Sequence, residues 1–89
     1  MIENTHHRQH VEQGALLLDV RTEQEFCQGH VSRALNIPVQ ELPWRLTEVG
    51  PTTRPVVVYC RSGGRSAAAT QLLRQAGYEV KDLGPMSAW

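Results

Sequence analysis

The sequence has little of several features that mark particular protein classes. It contains two cysteines, and the CxxC and mixed cysteine–histidine spacings of zinc sites are missing, so we expect free thiols, no disulfide framework and no metal. Nine basic and nine acidic residues cancel, which removes the overall field that would draw the chain to nucleic acid or to a membrane surface. The longest apolar runs, residues 15–18 and 56–60, are far shorter than the roughly 20 residues of a membrane-spanning helix.

What remains is the composition of one globular domain. Apolar residues make up 40% and charged residues 20% of the 89 positions, so we expect a single domain over residues 1–89 that folds alone as a monomer. The N-terminal residues MIENTHHRQH are polar and contain no hydrophobic signal region, which makes the cytoplasm the expected location. Eight of the nine basic residues are arginines, whose planar fork of donors suits oxyanions, so any anion site must be built locally from them.

Short apolar runs alternate along the chain with amphipathic segments. Helices are predicted at 6–13, 22–26, 42–49 and 66–76, and strands at 15–20, 34–37, 56–59 and 78–83. Thr22 to Glu25 has the S/T-x-x-E form of a capping box, and Gly77 stands where a helix commonly ends. Strands that alternate with helices indicate right-handed βαβ units, so the predicted fold class is α/β, with a small parallel sheet covered on both faces.

The candidate site is the stretch CRSGGRS, residues 60–66, which follows the most strand-like segment and opens the most helix-like one. Ligand sites of parallel sheets lie beyond the carboxyl ends of the strands. Gly63 and Gly64 let the backbone curl so that its N–H groups point inward, and the following helix aims its positive end at the same point. A helix N-terminus and nearby arginines favour thiolate over thiol, so we expect Cys60 to be nucleophilic with a lowered pKa.

A simpler interpretation treats Cys60 as a small buried apolar residue that ends a strand, with the glycines as an ordinary turn. For an isolated cysteine that interpretation would be preferred. Here two glycines, two arginines and a helix start converge within six residues, which favours the functional one.

Three segments resemble the signatures of the rhodanese family. LLLDVRTEQEF resembles the first signature and GHVSRALNIP the second, while CRSGGRS is similar to the six-residue active-site loop with the start of its helix. The resemblance runs from about residue 15 to residue 89. It implies a rhodanese-like three-layer domain and a single-domain thiosulfate sulfurtransferase without a cofactor. In that family the loop cysteine takes the outer sulfur of thiosulfate or a related donor, becomes a persulfide and passes the sulfur to cyanide or a thiol.

The resemblance also implies roles for individual residues. Cys60 would be the nucleophile and persulfide carrier, and the loop amides would hold the anionic donor. Arg61 would be exposed to the donor, whereas Arg65 would be structural at the loop end. The substrate-binding set is thus Arg61, Ser62, Gly63, Gly64 and Arg65. Asp19 and Arg21 would form an ion pair that braces the loop, or merely a structural salt bridge, and Ser66 would support the loop from the first turn of the helix.

Other chemistry-bearing residues receive no catalytic role. Cys27 lacks surrounding glycines and is expected to be a bystander, although a resolving role opposite a persulfidated Cys60 stays open. Glu25 is expected to be only a helix cap, and His30 a structural hydrogen-bonding residue. The histidines at positions 6, 7 and 10 are ascribed to a solvated helix face.

The sequence departs from the family at two places. Ser32 and Arg33 stand where proline and glycine are common, which predicts an altered turn and an extra cation. Pro85 replaces a usual glycine in LGPMSAW, which predicts a frayed or shortened final helix.

Three other functions are compatible with parts of this pattern. Phosphate-cleaving cysteine loops of this fold place five residues between cysteine and arginine, whereas four lie between Cys60 and Arg65, so a phosphatase is disfavoured. Inactive regulatory modules typically lose the cysteine, which this chain retains. A sulfur relay that takes persulfide from a partner protein would use the same residues. The acceptor, whether thioredoxin, glutathione or a dedicated carrier, is left open.

Overall fold

The computed structural model describes residues 2–89, with side chains from residue 7 onward. These residues fold into four helices and four strands in the order α1 (Ile2–Glu12), β1 (Leu16–Asp19), α2 (Glu23–Cys27), β2 (Leu35–Asn36), α3 (Leu46–Val49), β3 (Val56–Cys60), α4 (Gly64–Gln75) and β4 (Val80–Pro85). Two short 3₁₀ helices, Leu42–Trp44 and Met86–Ala88, precede α3 and follow β4. Within the described part of the chain, no helix is long and apolar enough to cross a membrane.

All strand pairs in the sheet are parallel, and the strand order is β2-β1-β3-β4. The two central strands are β1 and β3, in which Leu18 pairs with Val58 and Asp19 with Tyr59. Parallel pairing brings the carboxyl ends of these strands to the same edge of the sheet. Asp19 and Cys60, the last residues of β1 and β3, therefore lie at one edge, as the α/β prediction requires.

Alternating side chains of the strands belong to two separate apolar clusters. Leu18, Val56, Val58 and Cys60 pack with the side of the domain that carries α3 and α4. Leu17, Val57, Tyr59 and their neighbours pack on the other side against residues of α1 and the last 3₁₀ helix, among them Val11, Met86 and Trp89. Because successive side chains of a strand point to opposite faces, the sheet is covered on both sides, which confirms the three-layer α/β fold. Each fully buried valine or leucine contributes about 1.5–3 kcal/mol to this core.

One predicted helix is wrong as a single element. Residues 42–49 form a 3₁₀ turn followed by the one-turn α3, because Arg45 between them leaves helical geometry at φ −121° and ψ 21°. Pro43 stands in the first 3₁₀ turn, where its missing N–H costs no hydrogen bond.

The remaining differences concern where elements begin and end. Helix α1 extends from residue 2 to residue 12 rather than 6–13, and β1 and β2 are shorter than the predicted 15–20 and 34–37. Helix α4 begins at Gly64 rather than Ser66 because Gly63 takes the N-cap position. Strand β4 covers 80–85 rather than 78–83, because Tyr78 is buried in the preceding turn and its hydroxyl donates to the Gly50 carbonyl. The expected final helix is a single 3₁₀ turn.

The altered turn expected at Ser32 and Arg33 proves to be a strained one. Arg33 has a φ of 75°, which lies in the left-handed region that favours glycine. Among the described residues it is the only non-glycine residue with a positive φ. The chain thus keeps a glycine-like backbone at this point while carrying an arginine side chain.

Candidate functional site

The site is built where β3 passes directly into α4. Strand β3 is buried along its whole length and ends at Cys60, which has no exposed surface. Three residues, 61–63, separate it from α4. Gly63, at φ 106°, turns the backbone so that its N–H donates to the Cys60 Sγ at 2.9 Å. A side chain is disfavoured at this φ, which explains why the loop needs glycine there.

Ser66 closes the loop from within the helix. It is fully buried, and its hydroxyl donates to the Gly63 carbonyl at 3.1 Å, while the Ala67 N–H donates to the same oxygen at 3.1 Å. Ser66 therefore fixes the glycine that in turn donates to the sulfur.

The surroundings of the sulfur favour its anionic form. Burial alone would raise the pKa of Cys60, but polar contacts with the Ser66 hydroxyl and with the backbone N–H groups of Ser66, Gly63 and Ser62 outweigh it, and among these the Gly63 N–H makes the hydrogen bond of 2.9 Å. The pKa of the thiol is consequently lowered from its ordinary value. The amide-lined loop can stabilise a negative charge on sulfur, whether it belongs to a thiolate or to the outer atom of a persulfide.

Arg65 is tied to a carboxylate rather than directed at the sulfur. Its two terminal nitrogens donate to the two oxygens of Glu25, at 2.7 and 3.0 Å. Glu25 also forms the predicted capping box, because its carboxylate accepts from the Thr22 N–H at 2.9 Å while its own N–H donates to the Thr22 hydroxyl. The pKa of Glu25 is lowered to about 2, first by the hydrogen bond from Arg65 and then by the Thr22 N–H. The prediction that Glu25 is only a cap is therefore wrong.

Asp19 and Arg21 form a buried ion pair at the end of β1. The Arg21 Nη2 lies 2.7 Å from Asp19 Oδ2, and Arg21 Nε donates to both carboxylate oxygens at 3.0 and 3.1 Å. The backbone N–H of Arg21 donates to Asp19 Oδ1 at 2.9 Å, and Nη2 also donates to the Gly29 carbonyl at 2.8 Å. The pair thus connects the end of β1 to the segment after α2, and no direct bond from it to the loop 60–65 is found among the described residues.

The Tyr59 ring packs against the guanidinium of this ion pair. The Arg21 guanidinium carbon lies 5.7 Å from the centre of the Tyr59 ring, and the Tyr59 hydroxyl accepts from the Val31 N–H at 3.1 Å. Desolvation is the largest cause that raises the pKa of this phenol, which therefore stays neutral. The residue before Cys60 consequently contacts both the buried cation and the segment that follows α2.

A cavity of about 290 Å³ lies beside the loop. It is lined by Arg21, Glu25, Gln28, Gly29, Arg61 and Met86. Arg61 is exposed on its wall, as the sequence predicts for a cation that meets an incoming anion. A larger groove of about 610 Å³ runs along α4 and β4, and none of its lining residues belongs to the loop 60–65.

The structure brings most of the predicted site residues together. The loop residues 60–65 and Ser66 form one unit around the sulfur, with Arg65 held at its edge by Glu25. Asp19 and Arg21 lie at the same edge of the sheet. Cys27 is exposed at the end of α2. His30 is exposed, stacks on Phe26 at 3.6 Å between ring centroids, and its Nδ1 lies 2.9 Å from the Phe26 carbonyl oxygen.

Sequence reasoning missed Glu25 and Tyr59 as parts of the site. Glu25 already had a local explanation in the capping box, so its pairing with a residue 40 positions away left no signal of its own. Tyr59 read only as a strand residue. The side chain of His6 lies outside the described residues, and from residue 7 onward no cluster of three or more metal-ligating side chains is present.

Comparison with known proteins shows which family the chain resembles. A model of the rhodanese-like domain matches residues 3–89. A sulfurtransferase of Allochromatium vinosum is 46% identical over 83% of this chain and 70% of its own length. The chloroplastic thiosulfate sulfurtransferase 16 of Arabidopsis thaliana is 40% identical over 85% of this chain and 74% of its own.

Solved structures agree with these matches. The human single-domain sulfurtransferase TSTD1 superposes with a TM-score of 0.81 at 30% identity, covering 96% of this chain and 87% of that one. The named activities of these relatives support a general sulfurtransferase role. The chain belongs to the rhodanese-like family.

Proposed function

We propose that the chain transfers a sulfane sulfur from thiosulfate, or a related anionic donor, to a thiol or cyanide acceptor through a persulfide on Cys60. The observation that carries this proposal is the sulfur of Cys60 inside a loop whose amides and Ser66 hydroxyl lower its pKa. The name of the Arabidopsis relative supports thiosulfate as the donor.

The first step forms one sulfur–sulfur bond and breaks another. The Cys60 thiolate attacks the outer sulfur of thiosulfate, the bond between the two thiosulfate sulfurs breaks, and its electron pair leaves with sulfite. The outer sulfur stays on Cys60 as an anionic persulfide. The persulfide carries its negative charge on the outer sulfur, one atom farther out than the thiolate does. The loop amides that face the thiolate are suited to stabilise this second anion as well.

The second step returns the cysteine. An acceptor thiolate or cyanide attacks the outer persulfide sulfur, and the Cys60 thiolate departs with the electron pair of the broken bond. The products are an acceptor persulfide or thiocyanate. No proton transfer is needed if both nucleophiles are ionised, so this mechanism requires no histidine base, and ping-pong kinetics are expected.

The experiment is an intact-mass spectrum after incubation with thiosulfate, repeated after addition of cyanide. A gain of one sulfur atom, about 32 Da, that maps to Cys60 and is removed by cyanide supports the proposal. The matched variants are Cys60→Ser, which should take up no sulfur, and Cys27→Ser, which should behave like the unaltered protein. Sulfur taken up equally by folded Cys60→Ser would overturn the mechanism.

A second arm replaces thiosulfate with a small persulfide such as that of glutathione. Sulfur loading of Cys60 from the persulfide alone would reject thiosulfate as the donor and support a relay role. Loading from neither donor, on protein with a native circular dichroism spectrum, would reject sulfur transfer.

A further inference from the structure

The contact between Glu25 and Arg65 joins two helices at the site. Arg65 is the second residue of α4, and Glu25 lies in the first turn of α2. One Glu25 oxygen accepts from the Thr22 N–H, the Thr22 hydroxyl and Arg65, at 2.7 to 3.0 Å, and the other accepts from Arg65 at 3.0 Å. Both side chains are largely covered, with 22% of Glu25 and 32% of Arg65 exposed. A forked arginine–carboxylate contact fixes orientation as well as distance.

The first turn of α4 is the part of the molecule that holds the sulfur. The positions of the Gly63 N–H and the Ser66 hydroxyl, and hence their hydrogen bonds, both depend on where that turn lies. The capping box fixes the position of the Glu25 carboxylate relative to α2. The two hydrogen bonds from Arg65 to that carboxylate therefore fix the position of the start of α4 relative to α2. Arg65 also lies close enough to the sulfur for the Cys60 thiolate to raise its pKa, after the larger effect of the Glu25 hydrogen bond.

We propose that Glu25 is a positioning residue for sulfur transfer, which acts through Arg65 to hold the first turn of α4 around the Cys60 sulfur. The same contact takes one N–H from each terminal nitrogen of Arg65, so the fork formed by these two nitrogens faces Glu25 and not the donor. Arg61, exposed on the cavity wall, is then the cation that meets the anion. This inference rests on the proposed function, because the transfer that Glu25 would assist is the one proposed above.

The test begins with Glu25→Gln. The amide oxygen can still accept from Thr22 and from one Arg65 nitrogen, but the amide nitrogen cannot accept from the other, so the cap is retained and the two-bond fork is lost. We expect the rate of persulfide formation to fall about tenfold, since small misplacements of a catalytic constellation can cost up to about a hundredfold. The matched control is Glu48→Gln, which removes a similar contact between Glu48 on α3 and Arg45 and should leave the rate unchanged.

Arg65→Lys separates orientation from charge. Lysine keeps the positive charge but cannot form the fork. If Arg65 acts through the brace, Arg65→Lys should lose about as much rate as Glu25→Gln, whereas an unchanged rate in Arg65→Lys would overturn the proposal. In the double variant Glu25→Gln/Arg65→Lys the loss should not exceed the larger single loss, because the two residues act as one unit; losses that multiply would also overturn it.

A readout independent of sulfur transfer is the ionisation of Cys60. It is measured as the pH dependence of iodoacetamide alkylation in a Cys27→Ser background. Glu25→Gln also removes a negative charge, which by itself favours the thiolate, so the variant titrated is Arg65→Lys, which keeps both charges of the pair. Its midpoint should move to higher pH, because the amides that stabilise the thiolate lose their alignment, and an unmoved midpoint would contradict the brace. If the unaltered protein forms no persulfide, the proposed function fails, while this titration still decides whether Glu25 positions the loop.

Discussion

The buried pair of Asp19 and Arg21 allows the most quantitative prediction. The Asp19 side chain has 0% and the Arg21 side chain 6% of its surface exposed, and three side-chain hydrogen bonds of 2.7 to 3.1 Å join them. Removal of one partner leaves the other charge buried without its counter-ion. We therefore expect each single variant, Asp19→Asn and Arg21→Met, to be strongly destabilised.

The expected magnitude follows from the burial of both charges. Breaking a buried ion pair typically costs about 3 to 5 kcal/mol. A domain of this size has a total stability of about 5 to 15 kcal/mol, so such a loss is a large fraction of it. At about 4 to 8 °C for each kcal/mol, Tm should fall by about 12 to 40 °C. Urea unfolding followed by circular dichroism measures the free energy directly, with equal m-values as the check on two-state behaviour.

The double variant Asp19→Asn/Arg21→Met tests the reasoning. It removes both charges together, so its cost should be smaller than the sum of the two single costs by about 1 to 3 kcal/mol. Single costs below about 1 kcal/mol, or costs that add, would mean that solvent reaches the pair and that its burial does not govern its energy.

Four further predictions concern the backbone and the sulfur. Arg33→Gly should raise Tm by a few degrees, since a left-handed residue is relieved at a gain of about 0.5 to 1 kcal/mol. Gly63→Ala should destabilise by about 1 to 3 kcal/mol because of its φ of 106°. Gly64→Ala should stabilise by up to about 1 kcal/mol through helix propensity, since an added Cβ meets nothing within 4 Å. The rate of persulfide formation should rise with pH through a midpoint below 9.0, the ordinary pKa of Cys60.

Each of these has a contradicting result. A lower Tm in Arg33→Gly would show that the arginine side chain contributes more than its backbone costs. Equal changes in stability for Gly63→Ala and Gly64→Ala, measured by the same thermal melts, would show that the positive φ of Gly63 does not govern the cost. A midpoint at or above 9.0 would contradict the lowered pKa. Because that pKa is lowered on folding, the thiolate stabilises the fold fully above pH 9.0, and this contribution is lost as pH falls through the folded value.

The fold class could be predicted because each local sequence signal agreed with a parallel α/β fold. Val56 to Cys60 is apolar throughout and becomes a central strand buried on both faces, and the capping box at Thr22 starts α2 as expected. The position of the site followed from topology, since a parallel sheet brings the strand ends together. Element ends were predicted less well, because Gly63 and Tyr78 act through a backbone angle and a tertiary hydrogen bond that the pattern does not encode.

The contacts that hold the site together could not be predicted in the same way. The Glu25–Arg65 contact joins residues 40 positions apart, and the hydrogen bond between Val31 and Tyr59 spans 28. Such pairs depend on the angle between elements, which periodicity and propensity leave undetermined. Asp19 and Arg21 were predicted as a pair because they resemble the aspartate and arginine of the family's first signature, at the end of the first strand.

The distribution of charge around the sulfur bears on how the proposed reaction proceeds. Of three arginines near the loop, Arg21 faces Asp19 and Arg65 faces Glu25, so two cations are already matched by carboxylates. Attraction of a doubly charged donor then rests on Arg61 and on the loop amides. A site with three unmatched cations would hold sulfite as strongly as thiosulfate and would release its product slowly. In the proposed reaction the anionic persulfide would then repel the departing sulfite, so the matched charges would favour turnover over product retention.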